Sequence, residues 1–139
     1  MKQTLSWFVS VLYRDFSAHT ASALQALGLS RGQLPFLLMV GKHPGCSPTD
    51  LTRVLHLDWG HCQRSLDKLV RDGFLLREKQ GRSYALTLTA RGEEAFALSH
   101  QVFDSWDQKV LQRLTDEERQ QLSALMEKLS GTIGGTRYV

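Results

Sequence analysis

Hydrophobic residues recur at steps of three and four positions over most of the chain, which is the period of a helix that buries one face. A long first helix is predicted to end at Gly28 and a second at Gly41, because glycine commonly follows the last turn of a helix. Serine, threonine and aspartate precede most of the later helical runs and are typical caps there. The predicted helix starts after the first are Ser30, Ser47, Asp58, Ala90 and Thr115. Ser30, Ser47 and Thr115 are each followed three residues later by the second partner of a capping box, which is Gln33, Asp50 or Glu118. Residues 42–46 are predicted to form a loop.

The hydrophobic period changes to two after Gly73. Residues 74–78 and 84–89 form two short β-like runs on either side of Gly81, and they predict a hairpin. A short third helix, a tight turn, a fourth amphipathic helix and this hairpin make a winged helix-turn-helix. The predicted fold is therefore mostly α with a small β-hairpin wing, in one domain over residues 1–139.

The fourth predicted helix, residues 58–73, divides into a core face and a polar face. Cys62, Leu66, Leu69 and Val70 recur at helical spacing, so we expect them to point into the core. The remaining positions are mostly polar, and a solvated surface is one interpretation of them. Their chemistry favours a second interpretation.

Gln63 and Arg64, which we expect to point outward with His61, are side-chain types that bond bidentately to adenine and guanine edges in the major groove. Lys68 lies farther along the helix, where it can contact a DNA phosphate. Gly60 has no side chain and permits the start of the helix to approach the DNA closely. Basic residues on the hairpin lie beside this helix, which favours DNA binding over a plain solvated face. These hairpin residues are Arg77, Lys79 and Arg82.

Charge is uneven along the 139 residues. The net charge is +3, yet residues 1–83 carry 11 Lys and Arg against 6 Asp and Glu, or +5, whereas residues 84–139 carry 6 against 8, or −2. A basic front part indicates an anionic partner. No apolar run approaches a membrane span, and the first residues resemble a helix of the mature protein rather than a signal peptide. Two cysteines form no disulfide framework, so we expect a cytoplasmic protein.

Histidine and cysteine near the fourth helix raise rival chemistries, because His61 and Cys62 are adjacent and His43, Cys46 and His56 are close in sequence. Adjacent helical residues diverge by about 100°, so His61 and Cys62 do not readily share one ion. Cys46 fits a hydrophobic staple and Cys62 fits the core face. Catalytic motifs are not recognisable, so we predict no catalytic site, metal or cofactor. Thiol or metal sensing, and a winged helix that binds protein instead of DNA, stay open as alternatives.

The runs LTRVLHLDWGHCQRSLDKLVRDGFLLRE and GRSYALTLTARGEEAF resemble the MarR family (multiple antibiotic resistance regulators), over roughly residues 28–129. Members are dimeric winged helix-turn-helix transcription regulators. The resemblance implies that residues 28–90 bind double-stranded DNA at a pseudo-palindromic operator, as a ligand-responsive repressor. The DNA-binding residues expected from the chemistry and the resemblance together are Ser47, Thr49, Trp59, Gly60, His61, Gln63, Arg64, Lys68, Arg77, Lys79 and Arg82.

The chain departs from the family pattern in the fourth helix and the wing. Gly60 and His61 stand where the family often has Ser-Thr, which implies a different base preference. The wing is shorter than usual. Gln80 also replaces an aspartate that commonly braces the wing-tip arginine, here Arg82.

By the same resemblance, residues 1–27 and 91–130 build a homodimer interface, and residues 131–139 form a tail. The apolar candidates for that interface are Leu5, Phe8, Leu12, Leu122, Leu125 and Leu129. A small aromatic effector is implied between the DNA-binding lobe and the dimer helices. The residues that could line its pocket are Phe16, His19, Trp59 and Trp106.

Overall fold

The computed structural model describes residues 2–30 and 32–131 and contains six helices and one hairpin there. Their order is that of the predicted winged helix-turn-helix, so the predicted fold class is confirmed. The predicted tail at 131–139 lies outside the described residues except for Gly131. The elements are α1 (Leu5–Leu27), α2 (Leu34–Lys42), α3 (Pro48–Leu55), α4 (Trp59–Arg71), β1 (Leu75–Gln80), β2 (Ser83–Leu88), α5 (Ala90–Leu111) and α6 (Asp116–Ser130).

Helix α2 differs from the prediction at both ends. It starts at Leu34 instead of after Ser30, because only half of the expected capping box forms: the Ser30 N–H donates to Gln33 Oε1 at 2.9 Å. Gly41 does not end the helix, which continues to Lys42. A Cβ at Gly41 would lie 2.3 Å from the ring of Phe96, so this glycine allows α5 to pack closely against α2.

The core forms where α2 meets α3, α4 and the wing. Phe36, Leu37 and Val40 of α2 are fully buried. Cys62, Leu66 and Leu69 of α4 are also fully buried, which confirms the predicted core face, while Val70 is half-buried. The side chains that pack α4 against α2 are thus the ones that helical spacing predicted to be buried.

The wing is anchored at its base by a third short strand segment. Strands β1 and β2 pair antiparallel from Leu75↔Leu88 to Gln80↔Ser83, and the turn contains Gly81 with φ +61°. The Leu86 N–H donates to the Cys46 carbonyl at 2.9 Å, and the Gly45 N–H donates to the Leu86 carbonyl at 2.8 Å. The segment before α3, predicted to be a loop, therefore ties the wing to the helix-turn-helix.

Helix α5 starts directly on the end of α4. Thr89 Oγ1 donates to the Gly73 carbonyl at 2.6 Å, and Arg91 Nη1 donates to the Asp72 carbonyl at 2.6 Å. The Arg91 guanidinium also lies 4.3 Å from the centroid of the Phe74 ring. The end of α4, the start of β1 and the start of α5 are thus held together as one unit.

Helices α1 and α5 pack together beyond this unit, with Phe16 against Phe103 and Trp106. The indole Nε1 of Trp106 donates to Asp15 Oδ2 at 2.9 Å. The part of α1 before Phe16 is exposed, and all of α6 is exposed or half-buried. One protomer therefore does not bury the apolar side chains of these two segments.

Candidate nucleic-acid interface

The start of α4 is fixed by its cap. Asp58 Oδ1 accepts a hydrogen bond from the His61 N–H at 2.8 Å. That bond, and secondly the charge of Arg64, holds the pKa of Asp58 below its ordinary value. The side chain of Asp58 therefore stays ionised at neutral pH and occupies a donor that the helix would otherwise offer to a phosphate.

Arg64 lies on the exposed side of α4, one turn after Gly60. A Cβ added at Gly60 would lie 3.2 Å from Arg64 Nη1 and 3.3 Å from Asp58 Oδ1. The missing side chain at Gly60 thus leaves room for the guanidinium beside the start of the helix. Farther along, Lys68 Nζ pairs with Asp72 Oδ2 at 2.9 Å.

His61 and Gln63 were both expected to point outward, and the structure places them on opposite flanks of α4. Positions two apart on an α-helix differ by about 200°. The His61 ring is half-buried, with its centroid 6.2 Å from that of Phe36 in α2. Gln63 instead faces the wing.

A cleft of about 400 Å³, the wing cleft, separates α4 from the wing. It brings together five of the predicted DNA-binding residues from three elements and the hairpin turn: Thr49, Trp59, Gln63, Arg77 and Arg82. Its other lining residues are Pro48, Asp67, Ser83 and Tyr84.

Sequence reasoning missed three polar residues of the wing cleft, which are Asp67, Ser83 and Tyr84. Asp67 lies one helical turn after Gln63 and so shares its flank, which the helical period could have shown. Tyr84 is the cross-strand partner of Lys79 and lies on the same face of the hairpin as Arg77. The strand alternation could have placed it there once the register was known.

Some of the predicted DNA-binding residues are held by contacts within the protein, and others are exposed. Ser47 caps α3, and its Oγ accepts from the Asp50 N–H at 3.1 Å. Arg77 Nη1 lies 2.7 Å from Asp67 Oδ1, and the side chain of Arg77 is 26% exposed. Lys79 and Arg82 are exposed near the hairpin turn.

The predicted effector residues divide into two places. Phe16 and Trp106 pack ring against ring, with centroids 5.2 Å apart, and His19 is half-buried one turn after Asp15 on α1. Trp59 lies elsewhere, in the wing cleft, and is 53% exposed. The four residues therefore do not line one common pocket.

Both thiols have environments that disfavour the thiolate. Burial, and secondly the charge of Asp50, raises the pKa of Cys46 to about 11. Burial also raises the pKa of Cys62, which is fully enclosed in the core. Because the thiolate is the reactive form, these environments give no support to thiol sensing.

In the part of the chain that the structure describes, no three His, Cys, Asp or Glu side chains come together as metal ligands would. None of the helices described is both long enough and apolar enough to cross a membrane.

Comparisons with known proteins agree on one family. A sequence model described as MarR family matches residues 27–83. HTH-type transcriptional regulator BilQ of Clostridium symbiosum is 42% identical over 135 residues, covering 95% of this chain and 94% of that protein. HTH-type transcriptional repressor Rv2887 of Mycobacterium tuberculosis is 32% identical over 112 residues, covering 78% of this chain and 81% of its own length.

Solved structures show the same fold. The structure of Rv2887 in complex with salicylic acid matches with a TM-score of 0.69 and 28% identity, over 92% of this chain and 97% of that one. A putative MarR family regulator from Listeria monocytogenes, complexed with a 26mer DNA, matches with a TM-score of 0.81 and 20% identity, over 96% and 90% of the two chains. The chain described above therefore belongs to the MarR family of helix-turn-helix transcriptional regulators.

Proposed function

We propose that this regulator acts as a cytoplasmic homodimer that binds a pseudo-palindromic operator and represses transcription until a small aromatic effector releases it. The observation that carries the proposal is the exposed Arg64 on the firmly capped start of α4, beside a wing whose turn carries Arg82. Two such helices, one from each protomer, fit successive major grooves about one helical turn apart.

DNA contacts are assigned from exposure. Arg64 is proposed to read a base edge, since an exposed arginine near the start of a recognition helix can bond bidentately to guanine. Gln63, Thr49 and Trp59 reach the same groove from the wing cleft. Lys68, Lys79 and Arg82 supply phosphate or minor-groove contacts. The solved Listeria protein was complexed with a 26mer DNA, which supports DNA binding by this fold.

Homodimerisation is proposed from the apolar side chains that one protomer leaves exposed. Exposed apolar side chains that are grouped on a protein surface mark an interaction site. A two-fold contact that joins α1 and α6 to their copies covers both segments at once. The side chains concerned include Leu5, Phe8, Leu12, Leu122, Leu125 and Leu129.

The effector is proposed to be a small aromatic acid or phenol. Support comes from Rv2887, which is named a repressor and was solved in complex with salicylic acid. Phe16 of α1 packs against Trp106 of α5, and His19 lies about one turn along α1. A ligand bound between these two helices can change the spacing of the two α4 helices. Trp59 lies apart from these residues, in the wing cleft, and is not part of the proposed effector site.

The test is Arg64→Ala, measured on a duplex enriched by the protein from a random pool and on a scrambled duplex. We expect a loss of about 1–3 kcal/mol on the enriched duplex and a smaller loss on the scrambled one. Arg113→Ala removes the same charge in the exposed turn after α5 and should change neither affinity. Equal losses for Arg64→Ala on both duplexes would mean that this residue contacts phosphate only.

The wild-type protein decides the wider proposal. Its affinity for duplex DNA should fall steeply as salt rises, because binding releases counterions from the phosphates. Failure of the wild type to bind any duplex at low salt would contradict the DNA-binding function and favour a winged helix that binds protein.

A further inference from the structure

Asp67 is an acidic residue on the helix that is proposed to enter the major groove. Its side chain is 54% exposed and lines the wing cleft one turn after Gln63. A carboxylate in this place opposes the approach of phosphates. Its presence therefore calls for a role other than direct contact with DNA.

The partner of Asp67 indicates that role, because Asp67 binds Arg77 of the wing. Arg77 of β1 donates to Asp67 Oδ1 at 2.7 Å. The Arg77 guanidinium carbon also lies 5.8 Å from the centroid of the Tyr84 ring on β2. Arg77 is thus held by the helix on one side and by the opposite strand on the other, in the geometry of a cation–π contact.

The position of this pair along the wing is informative. The base of the wing is fixed in the core by Leu75 and Leu86, both almost fully buried. The end of the wing, with Lys79 and Arg82, is exposed. Arg77 lies between these two parts, and within residues 2–30 and 32–131 its ion pair is the only one that joins α4 to the hairpin.

We propose that the Asp67–Arg77 pair, here called the brace, sets the distance between α4 and the end of the wing and so positions Arg82 relative to the groove that α4 occupies. Arg77 and Asp67 are then positioning residues, and Arg77 is not a phosphate contact. The inference rests on the proposed DNA-binding function for its consequence, although the brace itself is a property of the free protein.

The decisive variant is Asp67→Asn. Simple electrostatics predicts tighter DNA binding, because the change removes a negative charge next to phosphates and releases Arg77. The brace predicts the opposite: affinity for the enriched duplex should fall about three- to tenfold, a range typical of coupled side chains. In a hydroxyl-radical footprint, protection of the flanking minor grooves should weaken while the central protection under α4 is retained.

Glu78→Gln is the matched control. Glu78 is exposed on β1, next to Arg77 but on the other face of the hairpin. Its replacement removes the same charge near DNA without touching the brace, so affinity should be unchanged or higher. If Asp67→Asn behaves as Glu78→Gln does, the brace is rejected.

A double variant separates a brace from two independent contacts. Asp67→Asn combined with Arg77→Ala should bind no worse than Arg77→Ala alone, because the pair acts as a unit. Additive losses would show that Arg77 contacts DNA itself.

Amide hydrogen exchange of the free protein tests the brace without DNA. Peptides that cover residues 75–88 should exchange faster in Asp67→Asn than in Glu78→Gln, while peptides of α2 stay protected. Equal exchange in both variants would overturn the inference. If the wild type binds no duplex at all, the proposed function fails, but the exchange result still decides whether the brace exists.

Discussion

At the residue scale, Gly41 and Gly92 allow close packing between elements. The sequence had indicated a helix end at Gly41 and no role for Gly92. A Cβ at Gly92 would lie 2.1 Å from the backbone carbonyl oxygen of Phe74, and a Cβ at Gly41 would lie 2.3 Å from the ring of Phe96. The carbonyl belongs to the base of the wing and cannot turn aside, whereas the half-buried ring of Phe96 can move.

Gly92→Ala should therefore destabilise the protein more than Gly41→Ala. We expect Gly92→Ala to lower the free energy of unfolding by about 1–3 kcal/mol or more, as overpacking against backbone does. Gly41→Ala should cost less, because a shift of one side chain relieves the contact. Urea unfolding followed by circular dichroism measures both, and an equal or reversed order would contradict the assignment of Gly92 as the closer packing site.

At the element scale, the start of α4 is stabilised by a side-chain cap. Asp58 is exposed, and its carboxylate accepts the His61 N–H at the start of the helix. The side chain at this position acts first as an acceptor and secondly as a negative charge near the positive end of the helix dipole. The two contributions can be separated by substitution.

Asp58→Ala should lower the urea midpoint, whereas Asp58→Asn should lower it less, because asparagine keeps the acceptor. The pKa of Asp58 is depressed in the folded state, mainly by the His61 N–H. A carboxyl group with a depressed pKa stabilises the fold above its unfolded pKa and loses that contribution as pH falls through the folded pKa. The difference between wild type and Asp58→Asn should thus be present at pH 7 and shrink as the pH falls below the ordinary aspartate pKa of about 3.9. A difference that grows on acidification would contradict this.

At the scale of the whole molecule, the described chain combines a well-packed winged-helix core with two segments whose apolar side chains stay exposed. The buried apolar residues of the core reach from Leu24 to Ala95. The first part of α1 and most of α6 expose leucine, valine and aromatic side chains. A second copy of the chain is the partner that we propose for them.

Leu125→Glu should convert the proposed dimer to a monomer, because a charge in the centre of an apolar interface is left without a partner. Leu76→Glu is the control: Leu76 is also an exposed leucine, but it lies on the wing. Light scattering coupled to size exclusion should report a dimer for wild type and Leu76→Glu. A dimer for Leu125→Glu would place the interface elsewhere.

The order of elements could be read from the sequence because local signals agree with the final packing. Helical spacing placed Cys62, Leu66 and Leu69 in the core, and the change of period after Gly73 placed the wing. The capping boxes at Ser47 and Thr115 formed as predicted. In these places the local conformational preference of the sequence agrees with the tertiary packing, so the predicted elements form as expected.

The candidate interface was only partly predictable, because its residues meet across elements. Period alone could not show that Arg77 pairs with Asp67 or that Gly41 lets the helix continue. Likewise the bridge from Cys46 to Leu86 depends on strand pairing over forty positions, which no local pattern encodes. The sequence by itself thus determined which segments become helix or strand and which faces are apolar. Tertiary structure alone decided which charged side chains pair across elements, as Arg77 does with Asp67, because long-range contacts set their distances.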